Sequence, residues 1–262
     1  MCLIALALDA HPSYRLVITA NRDEFYARPT APAAWWADGP DVLAGRDLRE
    51  GGTWMGVTRG GRVAAVTNYR DPGFAQRAGA PSRGALVADF LRGSVDAEAY
   101  ARDLAQRAAA YNGFNLLVGD DGGFFYVSNR TEGVRLLEPG IYGLSNALLD
   151  TPWPKVERAK GAMADALAAA DAEGWDARLW EALADRVIAA DDALPDTGVG
   201  AERERQLSAP FIRTDVYGTR ASTVLTITRD GEVRFVERSI APGEDAWTES
   251  RHAFRIPAPA EV

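Results

Sequence analysis

The chain has 262 residues, 47% of them hydrophobic and 25% charged, with a net charge of -8. That is enough apolar sequence to bury a full core, and the acidic balance offers no basic field to nucleic acid or to an anionic membrane surface. One cysteine excludes an internal disulfide and a multi-cysteine metal site, and two histidines argue against a conventional zinc centre.

In chain order, the first expected strand is Cys2 to Leu8, too short and too poor in flanking base for a signal peptide or membrane span. A cytoplasmic protein is therefore expected. The strand is apolar on both alternating faces, with Cys2, Ile4, Leu6 and Leu8 against Leu3, Ala5 and Ala7. This fits a central strand covered on both sides. His11-Pro12-Ser13 reads as a turn, and Arg15 to Ala20, with its Val17-Ile18-Thr19 centre, as a second strand. So short a connection favours an antiparallel pair. In that register, the end of the second strand returns beside the start of the first and brings Asn21-Arg22-Asp23-Glu24 close to Cys2.

Residues 27–50 read as a loop, rich in proline, glycine and aspartate and carrying Trp35-Trp36. Gly51 to Val57 reads as a glycine-led strand, and Val63 to Thr67 as its hairpin partner, ending in Asn68-Tyr69-Arg70-Asp71-Pro72. The second hairpin thus repeats the first, with polar residues at the C-terminal end of a core strand. Helices are expected over Ser82 to Leu91 and Asp96 to Ala109. Strands resume at Phe114 to Val118, Phe124 to Ser128, Val134 to Leu137 and Ile141 to Ser145. Trp153 to Ala169 has a strong helical stripe (Trp153, Val156, Met163, Leu167) with Pro154 in its first turn, and a further helix spans Ala177 to Ala190. Residues 191–210 read as a polar surface loop. The last strands are Ser222 to Thr228 and Val233 to Glu237, joined by Arg229-Asp230-Gly231. The proline-rich stretch 241–262 reads as a peripheral tail, and residues 1–262 as a single domain.

The order is strands, two helices, strands, two helices, strands. A four-layer αββα sandwich of two stacked, mainly antiparallel sheets with helices outside satisfies it. So does one sheet with helices on both sides.

Removal of Met1 would make Cys2 the first residue, and cysteine is small enough to permit that removal. Cys2 would then carry a thiol beside an amine whose ordinary pKa is about 7.7–8.0. That amine is basic enough to take the thiol proton, giving a nucleophile and base in one residue. The alternative is a buried, inert cysteine. Such a nucleophile attacks amides or thioesters and needs N–H donors for the oxyanion that forms. Asn21, Asn68, Asn115 and Asn146 stand at or near strand ends and offer donors of that kind. Arg22 suits a thiolate or a substrate carboxylate, and Asp23 an N-terminal ammonium. Each also has an ordinary use, since asparagine caps turns and an Arg-Asp-Glu run forms solvated ion pairs. Trp35, Trp36, Trp54 and Tyr69 offer an apolar lining, although aromatics serve as core just as well.

Asn21-Arg22-Asp23-Glu24, Arg28-Pro29, Gly51-Gly52-Thr53-Trp54 and Asn68-Tyr69-Arg70 together resemble the NRDE family, which includes the transport and Golgi organisation protein 2 homologues. The likeness continues through Ser82-Arg83-Gly84, Gly113-Phe114-Asn115-Leu116, Gly143-Leu144-Ser145-Asn146, Pro152-Trp153-Pro154-Lys155-Val156 and Tyr217-Gly218-Thr219-Arg220, almost the whole chain. The resemblance implies an α+β, N-terminal nucleophile (Ntn) hydrolase-like sandwich, close to the penicillin acylase and bile-salt hydrolase branch. On that likeness Cys2 matches the nucleophile, and Arg22 and Asp23 the branch's early Arg and Asp at a different spacing. Asn68 and Asn146 match oxyanion asparagines, and Arg220 the late active-site arginine.

The catalytic candidates are therefore Cys2, Arg22, Asp23, Asn68, Asn146 and Arg220. The substrate-binding candidates are Asn21, Glu24, Trp54, Tyr69 and Asn115, and no metal site is expected. The first functional expectation is a cysteine-dependent amidohydrolase or acyltransferase acting on a small amide or thioester, with no cofactor required for hydrolysis. The second, implied by the family's eukaryotic members, is a carrier of haem, lipid or acyl-CoA; haem would need an axial ligand from Cys2, a tyrosine, a methionine or a histidine. A scaffold whose motifs serve only folding is the third. The expected partner is a small molecule, with neither nucleic acid nor a membrane span involved, and the oligomeric state stays open.

Overall fold

In chain order the elements are β1 Cys2–Leu8, β2 Tyr14–Phe25, β3 Thr30–Trp36, β4 Gly39–Asp47, β5 Met55–Thr58, β6 Val63–Asn68, α1 Arg83–Arg92, α2 Ala97–Arg107, β7 Phe114–Asp120, β8 Gly123–Ser128, β9 Val134–Leu136, β10 Gly140–Leu144, α3 Pro154–Ala168, α4 Ala177–Leu183, α5 Ala201–Leu207, β11 Tyr217–Thr228, β12 Glu232–Ile240 and β13 Trp247–Arg255. The computed structural model describes residues 2–73, 77–169, 174–241 and 246–257.

The two apolar faces of β1 decide the layering. Cys2, Ile4 and Leu6 join the core that lies between two sheets. Ala5 and Ala7, on the opposite face, pack with Met163 and Leu167 of α3 and Leu179 and Leu183 of α4. Among the described residues, one sheet has six strands in the order β10-β1-β2-β11-β12-β13, and the other has seven in the order β3 through β9. Every pair in both sheets is antiparallel. α1 and α2 cover the seven-stranded sheet, and α3 and α4 cover the six-stranded one. The result is the four-layer αββα sandwich of the α+β class, not a single sheet flanked by helices. No helix among the described residues is long and apolar enough to cross a membrane.

Several expected elements are corrected. Residues 27–50 are not a loop: they hold β3 and β4, paired with register shifts between Ala31 and Ala34 and between Trp35 and Trp36. Pro32 is tolerated in β3 because that strand is a sheet edge, where a missing N–H costs no ladder bond. Asn21-Arg22-Asp23-Glu24 does not follow β2 but lies inside it, with Asn21, Arg22 and Asp23 buried. The strand led by Gly51 begins only at Met55. The helix expected to Ala190 stops at Leu183, and α5 occupies part of the expected 191–210 loop. β11 starts at Tyr217, ahead of the expected Ser222. The tail is not merely peripheral, because β13 pairs with β12 from Glu232↔Arg255 to Ile240↔Trp247; residues 242–245 and 258–262 of that stretch lie outside the described residues.

Candidate active site

The β1–β2 hairpin sets Cys2 directly opposite Arg22 and Leu3 opposite Asn21. On its other side, β2 pairs with β11, where Thr219 opposes Asp23 and Ala221 opposes Arg22. Arg220 is the extra residue of a bulge between those two pairs. Opposed residues share a face of the sheet. Cys2, Arg22 and Ala221 therefore look inward, while Asn21, Asp23, Thr219 and Ser222 look toward the helices.

Cys2, Arg22 and Ala221 line a cleft of about 260 Å³ at this end of the inter-sheet space. Its opposite wall comes from Trp54, Asn68, Ser82 and Arg83. This wall requires α1 to start hard against the chain entering β5. A Cβ on Gly52 would lie 2.5 Å from the Gly84 carbonyl carbon, so glycine alone allows the approach. The Thr53 N–H donates to the Gly84 carbonyl at 3.2 Å across that contact. At the rim, Arg28 donates to Asp47 through Nε at 2.9 Å and Nη2 at 2.6 Å.

Strand ends from both sheets hold Cys2. The Ser145 hydroxyl donates to the Cys2 carbonyl at 2.9 Å, and the Thr67 hydroxyl donates to the Ser145 carbonyl at 2.6 Å. Next to them, Asn146 Nδ2 donates to the Asn68 carbonyl at 2.9 Å, and the Arg70 N–H donates to the Asn146 carbonyl at 2.7 Å. The Asn68 side-chain amide lines the cleft and makes no hydrogen bond among the described residues. The Arg22 guanidinium, nine-tenths buried, likewise makes none and only approaches Glu24 at 3.9 Å.

Of the residues singled out from sequence, Cys2, Arg22, Asp23, Glu24, Trp54, Asn68 and Arg220 line this cleft. Four others do not. Asn21 faces the helix layer, where Nδ2 donates to the carbonyls of Leu183 (2.8 Å) and Pro210 (2.9 Å) and Oδ1 accepts the Ser222 hydroxyl at 2.6 Å. Asn115 is enclosed by Thr67, Ala147 and Tyr126. Asn146 is fully buried behind Asn68. Tyr69 lines a different cavity with Asn129 and Arg130. Although Arg220 reaches the cleft wall, its Nη1 donates to the carbonyls of Phe25 (3.2 Å), Tyr26 (3.2 Å) and Arg28 (3.1 Å), clamping the β2–β3 connection.

Three further residues at the site, Arg83, Glu237 and Lys155, are not among the candidates expected from sequence. Arg83 lines the cleft with its Nη1 donating to the Gly113 carbonyl at 3.1 Å. Glu237 is 2% exposed and takes the Ala33 N–H at 2.8 Å; burial pushes its carboxyl up. The alternation Val233, Phe235, Glu237 in β12 would have flagged a carboxyl on a core face. Lys155 sits in the first turn of α3 and is 1% exposed. Burial lowers its pKa to about 8, with Asp23 opposing the shift.

Electrostatics around the cysteine are mixed. Burial pushes the Cys2 thiol up; Asp23 adds to the shift and Arg22 opposes it. Burial also raises Asp23, against the pull of Lys155 and a 2.7 Å hydrogen bond from the Thr219 hydroxyl. What this arrangement offers chemically is a sulfur nucleophile, a buried carboxyl behind it, an amide donor across the cleft and two guanidinium groups.

The family profile described as Transport and Golgi organisation 2 matches residues 1–242. The chain belongs to the Transport and Golgi organisation 2 family. Its relatives include the Transport and Golgi organization protein 2 homolog of Bos taurus, 38% identical over 98% of this chain and 99% of that protein. The Homo sapiens homolog is 36% identical over 96% of this chain and 97% of its own. Among solved structures, this member of the Transport and Golgi organisation 2 family is similar to two hydrolases. One is the Caenorhabditis elegans N-acylethanolamine-hydrolyzing acid amidase ortholog (TM-score 0.45, 12% identity, 86% of this chain and 92% of that one). The other is the C2A mutant of the conjugated bile acid hydrolase from Clostridium perfringens (TM-score 0.47, 9% identity, 97% and 96%).

Proposed function

We propose that this protein is a cysteine-dependent amidohydrolase or acyltransferase acting on a small amide or thioester, with Cys2 as nucleophile. The observation that carries the reading is Cys2 itself: the sole cysteine, with its carbonyl held by Ser145, in a cleft faced by the free amide of Asn68. In a chain processed to begin at Cys2, the α-amine takes the thiol proton as sulfur attacks the substrate carbonyl. The carbonyl oxygen becomes an oxyanion, and on this reading its donor is Asn68 Nδ2, in a side-chain amide lining the same cleft. Collapse breaks the C–N or C–S bond, and the leaving group departs with the proton held by the α-amine. Water, or an acceptor amine, then cleaves the acyl-cysteine thioester and regenerates the thiol. Arg22 and Arg83 favour a substrate with an anionic group near the reacting carbonyl.

The test is intact mass spectrometry after incubation with a panel of N-acyl amino acids and acyl thioesters. Wild type lacking Met1 should gain an acyl mass and turn over. Cys2→Ala should do neither, and Asn68→Ala should slow turnover on the order of 10²–10³-fold. Retention of Met1 in functional protein, or equal turnover by Cys2→Ala, overturns the reading.

A carrier role is the second reading, and it converges on the same residue. Among the residues lining the cleft, Cys2 is the one with a haem-ligating side chain. The names of the relatives themselves carry transport. A haem titration followed by absorbance should then show a thiolate-ligated species that Cys2→Ala loses. Acyl-CoA binding that survives Cys2→Ala without turnover would favour a lipid carrier.

A further inference from the structure

Lys155 is the buried cation beside the site for which the reaction above has no use. Its Nζ makes no hydrogen bond or ion pair among the described residues. A buried ammonium in that condition is costly unless nearby charge compensates it. α3 packs on β1 and β10 from the helix side, the side to which Asp23 also points. Asp23 is the charge that most favours an ionised Lys155, and Lys155 the charge that most favours an ionised Asp23; Cys2 interacts with both.

The other charged groups around this pair are already committed or lie across the cleft. Arg70 is ion-paired with Glu204 of α5 at 2.7 Å. Tyr217 of β11 donates to the Asp23 carbonyl at 3.0 Å, and burial holds its phenol neutral. Arg22 and Arg83 act on Cys2 from the cleft side.

We propose that Lys155 is a positioning residue of the Cys2 site, whose ammonium balances Asp23 and thereby keeps the α-amine of a processed Cys2 available as a base. The inference rests on Cys2 being the nucleophile. A carboxylate beside an amine stabilises the ammonium form, and an ammonium cannot accept the thiol proton. A second cation on the same carboxylate cancels that effect, so Asp23 orients the amine without holding it protonated. The same positive charge favours the Cys2 thiolate.

Because Cys2 is the only cysteine, alkylation by iodoacetamide, read by intact mass, reports on this thiol alone. The otherwise intact chain lacking Met1 is labelled across a series from about pH 5 to 10, which spans amine and thiol titration. In Lys155→Met the midpoint of the labelling rate should rise by about one pH unit, while Lys155→Arg, which keeps the charge, stays near wild type. A lysine needed only for folding would lower the melting temperature of Lys155→Met and leave the midpoint where it was. Should Lys155→Met fail to fold, Asp23→Asn carries the test, because loss of the carboxylate should lower the midpoint. An unmoved midpoint in a folded variant overturns the inference alone. A wild-type Cys2 that resists labelling throughout overturns the nucleophile reading and this inference with it.

Discussion

The Ser145 hydroxyl donates to the backbone carbonyl of Cys2 at 2.9 Å, tying the residue just past β10 to the first described residue of β1. Both residues are buried, so the bond has no ready substitute from water. Ser145→Ala leaves the carbonyl without this donor, a cost of about 1–3 kcal/mol readable as a lower urea midpoint. Labelling of Cys2 at fixed pH should change with it, because the cysteine's peptide loses an anchor. Ser145→Thr keeps the hydroxyl and should recover most of the stability. A midpoint unaltered by Ser145→Ala would mean that the carbonyl finds another donor.

Arg220 gives a prediction about order in the β2–β3 connection. One guanidinium serves the carbonyls of Phe25, Tyr26 and Arg28, a geometry that suits a planar fork better than a lysine ammonium. Arg220→Lys should keep the charge yet raise amide hydrogen exchange across residues 25–30, with weaker substrate binding because Arg28 and Glu24 stand at the cleft. Exchange identical to wild type would remove the clamp from the account.

The pH dependence of stability isolates Lys155. Its folded pKa is lowered from 10.5 to about 8. Between those values the unfolded chain binds the extra proton, so this residue makes stability rise as pH increases from about 8 to about 10.5. Below about 8 the full cost of burying the charge is present in the folded protein. The stability of Lys155→Met minus that of wild type should accordingly shrink as pH climbs through this window. Unfolding free energies measured at several pH values check it, and a constant difference would contradict the assignment.

The sequence was most informative where burial is symmetrical. The two apolar faces of Cys2 to Leu8 pointed to an interior strand, and a short turn brought Arg22 beside Cys2, as the register has it. The edges were harder to read. β3 contains Pro32 and two register shifts, and the less exposed positions of β13 include Ser250 and His252 beside Phe254, so neither sequence shows the apolar–polar alternation of a half-buried strand. Edge strands are held by one neighbour's backbone, which leaves little trace in side-chain pattern.

The site was legible by residue type more than by direction. Four asparagines near strand ends look alike in one dimension. Yet Asn68 faces the cleft, whereas Asn21 lies fully buried against α4. A one-residue step along a strand decides which face a side chain takes. Lys155 was hidden for a different reason: a lysine in the first turn of a helix ordinarily reads as solvated surface, and only the packing of α3 against β1 encloses it.

The bulge at Arg220 also restricts how this protein can change length over evolution. Asn21 and Asp23, two positions apart on β2, need their partners Ser222 and Thr219 on the helix side, and those partners are three positions apart on β11. An odd separation meets an even one only because one residue is left over. Deleting that residue would restore the count of the ladder and leave Ser222 and Thr219 with their partners, but it would remove the guanidinium that holds the carbonyls of Phe25, Tyr26 and Arg28. Lineages of this chain should therefore accept insertions and deletions in the connection after α4 far more readily than a single-residue gap between Thr219 and Ser222.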